Sequence, residues 1–337
     1  MPNDPNDPKE LEPPLTEVVK AQIPGATGLA DLGRLTGGAS QQIWSFDALT
    51  ENGPIGLVLR RAFGEKPQKA ASMHVNLEGE ARMLGVAGKV GVPVPVVHYV
   101  LQPEDNCGYG FIMDRVEGET IARRVLREDT YAEVRPKLAR QIGEIAARLR
   151  NVPLSDISDL SLMPAVPQLK QYLDRYKACD YPHPVYELAF RWLDEHAPET
   201  PKISLVHGDY RHGNFVIGPD GIRAVLDWEI AHRGDPMEDL GWMCVNSWRY
   251  GAIDKPVGGF GEREDLFAGY EAVSGITVDP ALVKYWEVFG CLRWGIMCMG
   301  FYDGFINGPD RSVERAAIPR RSSETEIDLL HLLREET

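Results

Sequence analysis

Hydrophobic positions along this chain follow two rhythms, and the change falls near Met113 to Gly118. Before it, alternation dominates. Ile43 to Leu49 alternates apolar with polar residues, and Gly56-Leu57-Val58-Leu59-Arg60 is a short apolar run ending in charge. The Asn52-Gly53 pair between them predicts a hairpin. One helix interrupts the pattern, because Met73, Leu77, Ala81 and Leu84 are spaced to line a single face. Val92 to Leu101, with its two prolines, and Tyr109 to Met113 read as further extended segments. Residues 25–116 thus predict a small, mainly antiparallel sheet carrying one helix. Residues 1–24 open on a proline-rich polar run and predict a loose tail.

After Gly118 the period lengthens to that of a helix. Val134, Leu138, Ile142, Ile145 and Leu149 recur at steps of three and four. Further helices are expected over Val185 to Glu195, from Asp235-Pro236-Met237-Glu238, through Leu266 to Val273 and Ala281 to Phe301, and from Ser323. The exception is Ile203 to Glu229, where two short apolar runs flank the turn Gly218-Pro219-Asp220-Gly221. Residues 117–337 therefore predict a larger helical lobe, and the chain as a whole an α+β, bilobal fold.

Composition changes this picture only at the margins. At 337 residues, 43% hydrophobic and 26% charged, the chain is long enough for two lobes and too apolar to be disordered. Its formal net charge of −14 argues against a nucleic-acid binder, which needs a basic surface. Five cysteines without metal-type spacing, and a polar N-terminus, lead to the expectation of a cytoplasmic protein with reduced thiols. No apolar run reaches the ~18 residues of a membrane span, so no membrane partner is expected.

The chemistry concentrates in His207-Gly208-Asp209-Tyr210-Arg211-His212-Gly213-Asn214, followed thirteen residues later by Asp227. Phosphoryl transfer to a hydroxyl needs one carboxylate to receive its proton, and hard oxygen ligands for magnesium. The Asp-x4-Asn spacing with a later Asp supplies that set. A metal-hydrolase reading of His207, Asp209, His212 and Asp227 is the alternative, but it leaves the N-terminal half without a role.

With Leu226-Asp227-Trp228-Glu229 and Gly234-Asp235-Pro236-x2-Asp239-Leu240 added, the pattern resembles the aminoglycoside phosphotransferase and choline-kinase-like family. The nearest resemblance is to the branch fused to some acyl-CoA dehydrogenases, and it covers about Leu35 to Phe305. It implies a protein-kinase-like fold, with Asp209 as base, Asn214 and Asp227 as magnesium ligands, His207 as a structural residue and Asp239 as a buttress of the loop. It implies ATP and magnesium as cofactors and a small-molecule hydroxyl as acceptor. A catalytically silent nucleotide-binding scaffold is the reading from another class, although the base and both metal ligands are present.

The N-terminal half offers matching parts. Gly37, Gly38 and Ser40 lie between extended runs, where backbone N–H groups can approach phosphate. Arg60 is the candidate strand cation, with Arg61 as competitor, and Glu80 shares the helix face of Leu77 and Leu84 and so wants a cationic partner. By resemblance, Met113 stands behind an adenine ring, and the backbone of Asp114 and Val116 takes its edge. For the acceptor, Glu229, Asp254 and Asp303 are few acids beside many aromatic rings. That favours a weakly charged alcohol over an aminoglycoside or other antibiotic, and the resemblance to the acyl-CoA-dehydrogenase-linked branch implies a hydroxyacyl-CoA as a candidate acceptor. The glycine-rich stretch Trp248 to Glu264 reads as a lid or specificity loop.

Overall fold

The computed structural model describes residues 8–35, 41–62, 75–179, 181–198, 202–308 and 311–334. Gly37, Gly38 and Ser40 lie outside them. The chain divides into two compact units: Met1–Gly118 with Arg223–Ala231, and Glu119–Ile222 with His232–Thr337. The expected division after residue 116 had placed Arg223–Ala231 in the helical lobe, but that stretch belongs to the first unit.

In the first unit, strands β1 (Ala26–Leu35), β2 (Gln42–Thr50), β3 (Ile55–Ala62), β4 (Val97–Val100) and β5 (Tyr109–Asp114) form one antiparallel sheet in the order β1-β2-β3-β5-β4. The expected hairpin turn joins β2 to β3, with Gly53 at φ +106°, a conformation glycine adopts without strain. Gly110 on β5 faces Arg60 on β3 so closely that an added Cβ would collide with the Arg60 carbonyl. Helix α1 (Pro8–Gln22) and helix α2 (Leu77–Lys89) complete the unit.

Over Pro8–Gln22, helix α1 overturns the expectation of a loose tail, whose first seven residues lie outside the described ones. Leu11, Leu15, Val18 and Val19 are buried with Trp44, Phe46, Leu57, Leu59 and Ile112 in one core. Their spacing is that of a helix stripe, which the two prolines obscure. Pro13 and Pro14 withhold N–H groups from the carbonyls of Lys9 and Glu10, which sit on exposed residues where water can serve instead.

The second unit is mainly helical: α3 (Ala122–Arg127), α4 (Arg135–Leu149), α5 (Ala165–Ala178), α6 (Pro184–Glu195), α7 (Met237–Cys244), α8 (Arg263–Ser274), α9 (Pro280–Asn307), α10 (Val313–Ala317) and α11 (Ser322–Arg334). Short strands β6 (Ser204–Val206), β7 (Phe215–Gly218) and β9 (His232–Gly234) lie among them, and β6 pairs antiparallel with β9; β8 (Gly221–Val225) begins in this unit and ends in the first. Helices α4 and α8 meet almost backbone to backbone, since a Cβ at Gly143 would strike the Leu266 carbonyl and one at Gly269 that of Arg140. Within the glycine-rich stretch Trp248 to Glu264, Val257 to Gly261 is buried. Among the described residues, no helix is long and apolar enough to cross a membrane.

The packing of α1 is testable by itself. Leu15→Ala should lower stability in urea unfolding by about 2–5 kcal/mol, the cost of emptying a filled core position. Unchanged stability would mean that the N-terminal helix contributes nothing to the core.

Candidate active site

Strand periodicity decides which arginine of β3 meets the acids. Leu57 and Leu59 point into the α1 core, so Arg60, one residue on, takes the opposite face. Its Nη1 lies 3.1 Å from Glu80 Oε1 on α2, and its Nη2 donates to Asp227 Oδ1 at 2.8 Å. Its Nε donates to Gln41. Arg61 turns toward the α1 side instead, where Nη1 donates to the Cys107 carbonyl at 3.1 Å beside the Trp44 ring. Burial lowers the Arg61 guanidinium to about 10.

Glu80 is only 2% exposed. Burial pushes its carboxyl up to about 7, against the pull of Arg60. The two acids in turn raise Arg60 above its ordinary value despite its burial. Asp227 adopts φ +68°, a left-handed backbone that a non-glycine residue rarely takes, and such strain concentrates at functional positions. The loop around it is tied down by Trp228 Nε1 donating to the Val225 carbonyl at 3.1 Å, and by Val75 N–H donating to the Glu229 carbonyl at 2.6 Å. Met113 lies on the sheet face of Arg60, paired with Val58 two residues along β5 from the Arg60–Phe111 pair. At the end of β5, Asp114 donates its N–H to the Val96 carbonyl at 3.0 Å.

The second unit holds the loop between β6 and β7. Asp239 on α7 accepts the His207 N–H at 2.8 Å on one oxygen and the Gly208 N–H at 2.9 Å on the other. Gly208 has φ +84°, the turn that brings both donors to one carboxylate. His207 is fully buried, with Nδ1 accepting the Asp209 N–H at 3.2 Å and its ring edge-on to Tyr210. From above, Arg293 donates Nη2 to the Gly208 carbonyl at 3.0 Å and is anchored through Nη1 on Glu238 at 3.3 Å.

Asp209 thereby stands in a cage of donors. Arg211 Nε reaches its two oxygens at 3.0 and 3.1 Å, Trp242 Nε1 donates to Oδ1 at 2.9 Å, and Asn214 Nδ2 donates to Oδ2 at 2.7 Å. Burial alone would push the carboxyl up. Arg211, His207, Trp242 and Asn214 outweigh it and hold Asp209 below the ordinary carboxylate value, so it is ionised at neutral pH.

His212 does not join this group as a ligand. Its Nδ1 donates to the Gly258 carbonyl at 2.7 Å, and burial lowers the ring to about 4, so it stays neutral. Among the described residues, no group of three or more His, Cys, Asp or Glu is arranged to hold a metal. Both facts go against the metal-hydrolase alternative. Arg150 finds its place outside the site, donating to the Tyr270 hydroxyl at 3.0 Å.

A family model, the phosphotransferase enzyme family, matches residues 31–276. The chain belongs to that family. Its fold is protein-kinase-like. A proposed aminoglycoside phosphotransferase of Ralstonia eutropha superposes with TM-score 0.76 at 20% identity, over 96% of this chain and 98% of the other. The aminoglycoside phosphotransferase APH(4)-Ia, in complex with ADP and hygromycin B, does so with TM-score 0.58 at 17% identity, over 94% and 99%. Among curated proteins, mouse acyl-CoA dehydrogenase family member 10 is 27% identical over 176 residues, 50% of this chain and 16% of the relative. Human acyl-CoA dehydrogenase family member 11 is 26% identical over 272 residues, 71% and 33%. The chain thus spans a third or less of these curated relatives.

The geometry therefore groups Arg60, Glu80 and Asp227 in one unit, and Asp209 with Asn214 in the other. Sequence reading missed Arg211, Trp242 and Arg293 as partners of the phosphotransferase loop. A signal for Trp242 was present: it lies three residues after Asp239, so the helix face that reaches the loop carries both.

The Arg60–Glu80 pair has a definite pH signature. Arg60 holds the Glu80 carboxyl down, so in Arg60→Met that carboxyl moves higher and takes up a proton on folding. Both folded forms hold this proton more tightly than the unfolded chain, so stability falls as pH rises above the ordinary carboxylate range; in the unaltered protein the fall ends near 7, and in the variant it continues beyond. The destabilisation should exceed that at pH 6 by about 1.4 kcal/mol per pH unit, read by urea unfolding at pH 6 and 8. An equal loss at both pH values would show that the pair is not coupled.

Proposed function

We propose that this phosphotransferase moves the γ-phosphoryl group of ATP to a hydroxyl of a small molecule, with Asp209 as the base. The observation that supports this most is the caged, ionised carboxylate of Asp209 in a loop of kinase spacing. It receives the acceptor proton late, as bond formation to phosphorus makes the hydroxyl acidic, which suits a carboxylate of low basicity. Arg60 meets phosphate oxygens with Glu80 orienting it, and arginine's planar fork suits that contact. At the adenine, Met113 stands behind the ring, Val116 offers its N–H, and Asp114 offers its carbonyl because its own N–H is spent on Val96.

The residues fit magnesium by the chemistry of their donors. Asn214 commits its amide nitrogen to Asp209, which leaves the amide oxygen as a ligand, and Asp227 adds a carboxylate. Few protein oxygens, with waters and phosphate oxygens completing the shell, is the usual arrangement for this ion. Bound there, magnesium neutralises phosphate charge; the residues named do the positioning.

In the second unit a series of rings is lined with arginines. Trp242, Trp248 and Trp294 follow one another at 5.2 and 5.0 Å, with Arg293, Arg211 and Arg321 over their faces. The carboxylates beside these arginines are already matched: Glu238 with Arg293, and Glu324 with Arg321. Asp254 and Asp303 are exposed, and Glu229 belongs to the first unit. This supports a hydroxyacyl-CoA over a polyammonium antibiotic, in line with the acyl-CoA dehydrogenase names of the curated relatives. Incubated with MgATP, the protein should release ADP faster with 3-hydroxybutyryl-CoA than without acceptor, and no faster with kanamycin. Asp209→Asn should lower that rate about 10²- to 10⁴-fold. Stimulation by kanamycin alone would reverse the acceptor assignment, and a fully active Asp209→Asn would remove the base.

A further inference from the structure

Trp242 looks like core filling, being 2% exposed on α7, yet it is the one ring of the aromatic series whose N–H reaches Asp209. Its Nε1 donates to Oδ1 at 2.9 Å, while Asn214 serves Oδ2 at 2.7 Å. A carboxylate can rotate about its Cβ–Cγ bond, and Arg211 Nε, which reaches the two oxygens at 3.0 and 3.1 Å, distinguishes neither of them. Two different donors, one on each oxygen, stop that rotation. The indole is itself held. The Arg293 guanidinium lies 4.5 Å over its ring, fixed between Glu238 and the Gly208 carbonyl. A second ring, Trp248, packs 5.2 Å away. Helix α7 thus grips the loop twice, by Asp239 on its backbone and by Trp242 on its reactive side chain.

We propose that Trp242 is a positioning residue for phosphoryl transfer, its indole N–H fixing the rotation of the Asp209 carboxylate so that a lone pair faces the acceptor hydroxyl. The proposal deepens the reading of Asp209 as base and rests on it. A misaligned base loses rate without losing nucleotide affinity, because the N–H acts on orientation in the reacting complex. The indole also fills space, so the test must separate the donor from the ring.

Three variants do so: Trp242→Phe, which keeps an aromatic face without a donor, Trp242→His, which packs worse but keeps a ring N–H, and Asp209→Asn. Turnover is read as ADP release with MgATP and 3-hydroxybutyryl-CoA, and with MgATP in water alone. In Trp242→Phe, kcat should fall about 10- to 100-fold with the KM for ATP unchanged. Trp242→His should recover part of the loss. In the ¹H–¹⁵N spectrum, the Trp242 indole resonance, identified by its disappearance in Trp242→Phe, should move in Asp209→Asn. Packing alone predicts the opposite ranking, with Phe more active than His, and that result would overturn the proposal. So would an indole resonance indifferent to Asp209→Asn. Full activity of Asp209→Asn beside a displaced indole resonance would instead overturn the base assignment, and the positioning role with it, while leaving the contact intact.

Discussion

Asp239 gives one oxygen to the His207 N–H and the other to the Gly208 N–H, and the course of the loop that carries Asp209 depends on this pair of bonds. A carboxylate in so buried a place is costly without donors, and backbone N–H groups turned outward are costly without acceptors. Each solves the other's problem. The Gly208 carbonyl then meets Arg293, whose charge is matched by Glu238, and Glu238 is matched again by His232 at 3.1 Å. Buried charge is thus matched from one group to the next, Arg293 by Glu238 and Glu238 by His232. Every step of that chain fixes the backbone on which Asp209 sits.

The first unit applies the same logic with a cation at the centre. Arg60 stands between two acids, one on α2 and one in the strained turn at Asp227. Neither acid is adjacent to it in sequence, so the helix and the turn are both referred to one strand position. A phosphotransferase gains from this arrangement, since a guanidinium already bound to carboxylates meets an incoming phosphate with its direction set. Helix α1 packs on the other face of the sheet, in an apolar core with residues of β2, β3 and β5, and β3 is the strand that carries Arg60.

What could be read from the sequence was whatever is local. Asp209, Asn214 and Asp227 stand in short motifs with fixed spacing; alternation located β2, and short apolar runs located β3 and β5. Asp239 was legible as a buttress because Asp235-Pro236 marks the helix start one turn before it. The choice between Arg60 and Arg61 was not, because it depends on which face of β3 meets α1, and α1 was itself hidden by Pro13 and Pro14. Trp242 was missed for a related reason: in a chain rich in buried rings, an indole N–H bonded to a distant carboxylate has the same composition as one that only fills space.

The central claim is that the Arg60–Glu80–Asp227 group receives a nucleotide together with magnesium. Calorimetric titration of the purified protein with ATP, in the presence and the absence of Mg²⁺, tests it most directly. The account predicts binding that strengthens when Mg²⁺ is present and that Asp227→Ala makes indifferent to the metal. No heat with ATP or GTP under either condition, or binding equally tight with and without Mg²⁺ in the unaltered protein, would contradict it.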